Sequence, residues 1–155
     1  MRFLPAFVAT GILLAGGATL WAIEAQAGIL KISDGVLLEY KTATWTGKRG
    51  PAGPIFGSDD PIPHTVLKEL TLIRRVARIR LDVSCMYDPW FERVHSSRFK
   101  FTVLNSRAAT LIGSFSDAAG SYVAEWLIVD EIPVRTLLSN DPTIVRQKLQ
   151  LGSHR

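Results

Sequence analysis

From Val76 to Ser84, and again from Arg98 to Val103 after a connection rich in aromatic residues, the chain alternates apolar and polar residues, and this period of two constrains its fold more than any other feature. Ile79, Leu81 and Val83 share one parity, and Arg78, Arg80, Asp82 and Ser84 the other. Phe99, Phe101 and Val103 repeat the pattern against Arg98, Lys100 and Thr102. Successive side chains of a strand point to opposite faces, so both runs read as strands with one face in a core and one in water. A helix, with a period of 3.6, would scatter these residues around its circumference.

Similar short runs fill much of the remaining chain. Ile29 to Trp45 reads as extended structure broken by the turn signal Ser33-Asp34-Gly35, with Leu38, Tyr40, Thr42 and Thr44 on one parity. Asn105-Ser106-Arg107 turns the chain into a strand from Thr110 to Phe115, and residues 116–121 turn it again into Tyr122 to Val129. Pro133 precedes Val134 to Leu138 and suits an edge strand, because proline cannot donate to a ladder. Residues 65–75 are ambiguous: Val66, Leu67, Leu70 and Ile73 fit a helical face, while Leu70 and Leu72 fit a strand, which is the reading preferred here. Asp141-Pro142 offers cap and first-turn chemistry, Val145 and Leu149 lie four apart, and Gly152 follows, predicting a short helix over 142–151. The fold expected is mainly β, an antiparallel β-sandwich or small barrel with a short C-terminal helix. An α+β fold is the alternative if 65–75 and 122–130 are helical.

Residues 46–64, TGKRGPAGPIFGSDDPIPH, hold four glycines and four prolines and sustain neither helix nor central strand. A loop of this length either covers a site or partner surface, or is a tolerated surface insertion. Gly47-Lys48-Arg49-Gly50 lacks the remainder of a phosphate loop, and Asp59-Asp60 lacks the spaced oxygen ligands of a calcium loop.

Residues 3–23 carry no charged side chain, follow Arg2, and precede Ala25-Gln26-Ala27, an A-x-A pattern before Gly28. This is the pattern of a signal peptide cleaved after Ala27, or, since the run exceeds an ordinary apolar region of about 7 to 15 residues, of an uncleaved anchor helix. The division expected is 1–27 as signal peptide or signal anchor and 28–155 as one exported domain. Its expected location is periplasmic or extracellular, or tethered to the membrane by residues 3–23.

Arg2 and Glu24 are the only charged side chains before residue 28, so the domain carries the whole net charge of +4. That mild excess permits contact with anionic envelope components and demands none, and export disfavours nucleic acid. The single cysteine, Cys85, excludes an intramolecular disulfide and reads as a small buried hydrophobe. Cys85, His95 and Asp88 are the only nucleophile, base and orienting group near one another in sequence, a weak basis for a small secreted hydrolase. Three scattered histidines give no metal-ligand spacing, and neither a metal nor a cofactor is expected.

A binding role has more to stand on. If the strands near 76–84 and 98–103 pair as a hairpin, Arg78, Arg80, Arg98 and Lys100 form a basic stripe, with Tyr87, Trp90, Phe91 and Arg93 at the tip. Rings beside cations hold sugars, lipid headgroups or a partner protein. The competing reading closes the core with the aromatic tip and leaves the basic residues as a solvent face. The function expected is an exported non-catalytic binding or accessory module of the envelope, with this hairpin and the 46–64 loop as contact surfaces. The alternative is a membrane-anchored structural subunit.

Overall fold

The computed structural model describes residues 26–91, 95–116 and 120–150, so the leader expected over residues 1–27 lies almost wholly outside the described residues. The fold is mainly β: two antiparallel four-stranded sheets and one short C-terminal helix. The first sheet runs in sequence order through β1 (Ala27–Ser33), β2 (Val36–Thr44), β3 (Thr65–Arg74) and β4 (Ala77–Arg80). The second runs through β5 (Phe99–Val103), β6 (Ala108–Phe115), β7 (Tyr122–Val129) and β8 (Ile132–Ser139). The helix α1 spans Pro142–Gln150, and the Asp141 carboxylate accepts from Thr143 N at 2.7 Å, the cap that its sequence predicts.

Each sheet turns one face to a common core. Val36, Leu38, Leu70, Leu72 and Ile79 come from the first, and Phe99, Leu111, Phe115, Ala124, Trp126 and Ile128 from the second. Of the ambiguous residues 65–75, Thr65–Arg74 form a strand and Arg75 opens the following turn; the helical appearance of the strand has a cause. Lys41 pairs with Glu69 but Thr42 pairs with Leu67, which leaves Lys68 as an extra, bulged residue. The bulge switches parity, so Leu67 before it and Leu70 and Leu72 after it all face inward. Spacing of three within a strand imitates a helix.

The expected pairing of 76–84 with 98–103 does not form. β4 pairs with β3, and β5 with β6, so the two segments sit in different sheets. Tight turns explain this: Arg75-Val76 lets β4 fold back at once onto β3, and residues 104–107 do the same for β5 and β6. β4 ends at Arg80, Leu81 N still donates to Leu70 O of β3 at 2.8 Å, and residues 82–84 then leave the sheet and tie it to the other one. Trp126 Nε1 donates to Asp82 O at 2.9 Å, and Arg135 donates to Ser84 O at 2.7 Å and meets the Asp82 carboxylate at 3.1 Å.

This topology gives the two ends of the molecule different characters. The turns at 34–35, 75–76, 104–107 and 130–131 all lie at one end, as the pairing of Val36 with Arg74 and of Ala108 with Val129 requires. The long connections 45–64 and 81–98 lie at the other. Phe56 N donates to Cys85 O and Tyr87 N to Phe56 O, so the Gly/Pro-rich loop is pinned against 85–88. Gly57 takes φ 106°, and a Cβ there would collide with the Tyr87 carbonyl oxygen and lie 2.6 Å from Tyr122 Cε1. Cys85, expected to be buried in a strand, is instead half-buried in this connection at φ 64°. The connection crosses from sheet to sheet and cannot keep a strand's alternation.

Candidate binding cleft

At the turn end the two sheets leave between them a cleft of about 710 Å³. Leu72, Ile79, Phe101, Ala109 and Ile128, all on the inward parity of their strands, form its floor. Arg74 holds the next inward position of β3 after Leu70 and Leu72, where the pattern calls for an apolar residue. Its guanidinium carbon lies 5.6 Å from the centroid of the Phe101 ring across the gap. An arginine at an inward position, resting on a ring of the opposite sheet, carries its charge into the mouth rather than away from it.

Arg75 and Arg107 join Arg74 on the rim. Arg75 opens the β3–β4 turn at φ 55°, and Asp130 and Glu131 form the β7–β8 turn at φ 51° and 66°, positions that glycine or asparagine adopts more readily. Each therefore bears some backbone strain while presenting a charge at the mouth. Arg107 Nε donates to Asp130 Oδ1 at 2.7 Å, and its Nη2 bonds Asp130 Oδ2, a two-point pair between neighbouring turns. These hydrogen bonds hold the Asp130 carboxyl below its ordinary pKa and raise that of Arg107. Asn105 Oδ1 fixes the Arg107 turn by accepting from Arg107 N at 2.9 Å and Ala108 N at 2.8 Å. Among the described residues Arg74 and Arg75 make no ion pair, so the rim carries two guanidiniums that no carboxylate neutralises.

The side chains selected from sequence lie elsewhere and do not converge. Arg78 and Arg80 project from the outer face of the first sheet, where Arg78 pairs with Glu39, and Lys41 with Glu69. Arg98 donates to Ser116 O, and Lys100 stands on β5 of the other sheet. The basic stripe is thus divided between two sheets and partly neutralised. Phe91 is 4% exposed and stacks on Tyr40 at 3.9 Å, the core-closing arrangement rather than a platform. Trp90 is half-exposed at φ 53°, and Arg93 lies outside the described residues.

Asp88, the sequence candidate for an orienting carboxylate, is buried and occupied by backbone. It accepts from His64 N at 3.1 Å, Thr65 N at 2.7 Å and Thr65 Oγ1 at 3.0 Å. It staples the end of the long loop to the start of β3. Among the described residues no three His, Cys, Asp or Glu side chains gather as metal ligands would. The cleft arginines escaped the sequence reading because the bulge at Lys68 hid which way Arg74 faces. The signal present was Arg74-Arg75 beside an apolar Val76, a charged pair entering a turn with no turn-forming residue.

Comparison with known protein families, with curated proteins and with solved structures finds no match for this chain.

Proposed function

We propose that the chain is an exported, non-catalytic binding module of the cell envelope, a β-sandwich whose turn-end cleft takes an anionic group carried on an apolar body. The observation that carries this reading is Arg74, inward-facing and seated over Phe101 above an apolar floor, with Arg75 beside it. Arginine matches carboxylate and phosphate oxygens in pairs, and apolar walls accept the attached chain. The volume suits a small ligand. Export rests on the uncharged run 3–23 behind Arg2 and on the A-x-A pattern at 25–27.

Decyl phosphate, titrated calorimetrically into natively produced protein, is expected to saturate one site. Arg74→Ala should weaken it by about 10- to 100-fold, the value of a hydrogen bond to a charged group. A neutral decyl glycoside should bind poorly. Undiminished decyl phosphate binding by a folded Arg74→Ala protein refutes the reading.

The length of the uncharged run favours a second fate for the same module, retention of the leader as an anchor within an envelope assembly. The intact mass of the membrane-bound and soluble protein separates the two: a chain starting at Gly28 in the soluble fraction excludes the anchor.

A further inference from the structure

We infer that the turn end docks on an anionic lipid surface, with the cleft receiving a lipid headgroup; this rests on the reading of the cleft given above. Six of the ten exposed large apolar side chains among the described residues gather at this end: Val76, Val103, Leu104, Val129, Ile132 and Val134. Val76, at the tip of the β3–β4 turn, is 99% exposed, and Ile132, at the start of β8, is 67% exposed. Tight turns are ordinarily polar, and large aliphatic side chains at their tips gain nothing from water.

The charges beside them complete the pattern. Lys31 pairs with Asp34 at 2.8 Å and Arg107 with Asp130, so each of those turns is balanced. Arg74 and Arg75 remain against Glu131, a net positive mouth framed by aliphatic tips. Aliphatic groups that enter the headgroup region, beside arginines that reach phosphate, are the two components of interfacial binding. Val76 and Leu104 stand at two turns and Val129, Ile132 and Val134 form a small patch on the β7–β8 hairpin, so the aliphatic residues flank a charged mouth instead of making the broad apolar surface a protein partner would need. The opposite end packs most of its aromatic residues inward, as with Phe91 on Tyr40 and Phe115 on Tyr122, and exposes only Ile62 and Trp90 among the described large apolar side chains of its long connections.

The test places an environment-sensitive fluorophore on full-length protein carrying Cys85→Ser, at Val76→Cys or, at the opposite end, at Asp59→Cys. Vesicles are of phosphatidylcholine alone or with one third phosphatidylglycerol. With phosphatidylglycerol, the probe at 76 should shift to the blue and be quenched by brominated acyl chains, while the probe at 59 stays in water. This reports which end meets the bilayer whatever the leader does. Val76→Asp, at a side chain without packing contacts to lose, should weaken the response of a probe at Leu104→Cys at least tenfold. Water-soluble dihexanoyl phosphatidylglycerol tests the cleft separately, with Arg74→Ala as its control.

If that soluble lipid saturates the cleft but the probe at 76 stays in water on vesicles, docking is overturned and the cleft reading stands. If the probe enters vesicles while the soluble lipid fails to bind, the cleft reading falls and the headgroup site with it. Equal response to both vesicle types overturns the anionic selectivity.

Discussion

Replacing Asp88 should loosen the long-loop end of the molecule and report how that end is held. The carboxylate is 4% exposed and accepts from two backbone N–H groups and one hydroxyl within 3.1 Å. Asp88→Ala leaves the N–H groups of His64 and Thr65 without that acceptor. An orphaned buried donor costs about 1–3 kcal/mol, more when the lost acceptor is charged. Thr65 N–H is such a buried donor, whereas His64 is exposed and its N–H can turn to water; with the strain of alanine at φ 39° the cost amounts to about 2–5 kcal/mol. Asp88→Asn keeps one acceptor oxygen for Thr65 and tolerates positive φ, so its cost should be about 1–2 kcal/mol. Urea unfolding at constant slope measures both, and native-state hydrogen exchange shows whether His64 and Thr65 lose protection first. A cost for Asp88→Ala below about 1 kcal/mol, or an Asn variant as damaged as the Ala one, refutes the staple.

Three further outcomes are expected. Gly57→Ala should destabilise by about 3 kcal/mol or more in thermal unfolding, because the new Cβ meets the Tyr87 carbonyl and the Tyr122 ring at a positive φ. The Tyr122 hydroxyl is buried with no hydrogen-bond partner among the described residues, so Tyr122→Phe should raise stability by up to about 2 kcal/mol; a loss would reveal a partner for the hydroxyl. Burial pushes the Glu125 carboxyl up, but hydrogen bonds from Lys148 and Thr136, with the Lys148 charge, bring it below its ordinary 4.5. A lowered folded pKa means stability present above about 4.5 and lost as pH falls through the depressed value. Since Lys148 lies on α1, acid should weaken helix docking first, and Lys148→Met should flatten that pH dependence in unfolding titrations.

What the sequence revealed followed from how strictly each segment keeps its period. β1, β2, β6 and β7 lie between recognisable turns and pair as their alternation implies, and α1 carries its cap in Asp141-Pro142. An inserted residue need not hide a strand, as the irregularity between Lys31 and Ser33 in β1 shows, but in β3 it did. Lys68 bulges from β3 and makes an inward row resemble a helix face, while the Glu125–Trp126 step against Arg135 and Leu137 shifts β8. The basic stripe failed for a topological reason: parity along a strand says which side chains share a face, but not which strand lies alongside. Arg78 and Lys100 keep the outward parity foreseen for them, on two different sheets. The cleft could be found only once both sheets were placed, since Arg74 and Phe101 are distant in sequence and meet across the core.

Long loops are the usual home of binding residues, and the cleft proposed as the binding site lies at the other end of the molecule for a physical reason. Its longest connections pack Phe56, Tyr87 and Phe91 against the core and are fixed by Asp88 and Gly57, so that end of the core is closed. Tight turns cannot close an end in this way, because two to four residues do not reach across the gap between sheets. The turn end therefore keeps an opening. A neutral opening would be filled by larger apolar residues at the inward positions, continuing Leu70 and Leu72. Instead β3 ends inward on Arg74, and the turn residues beside it are Arg75 and an exposed Val76 in place of glycine or asparagine. Both choices forgo stability at the same place, and the proposed ligand, with a charged head and an apolar body, would use both.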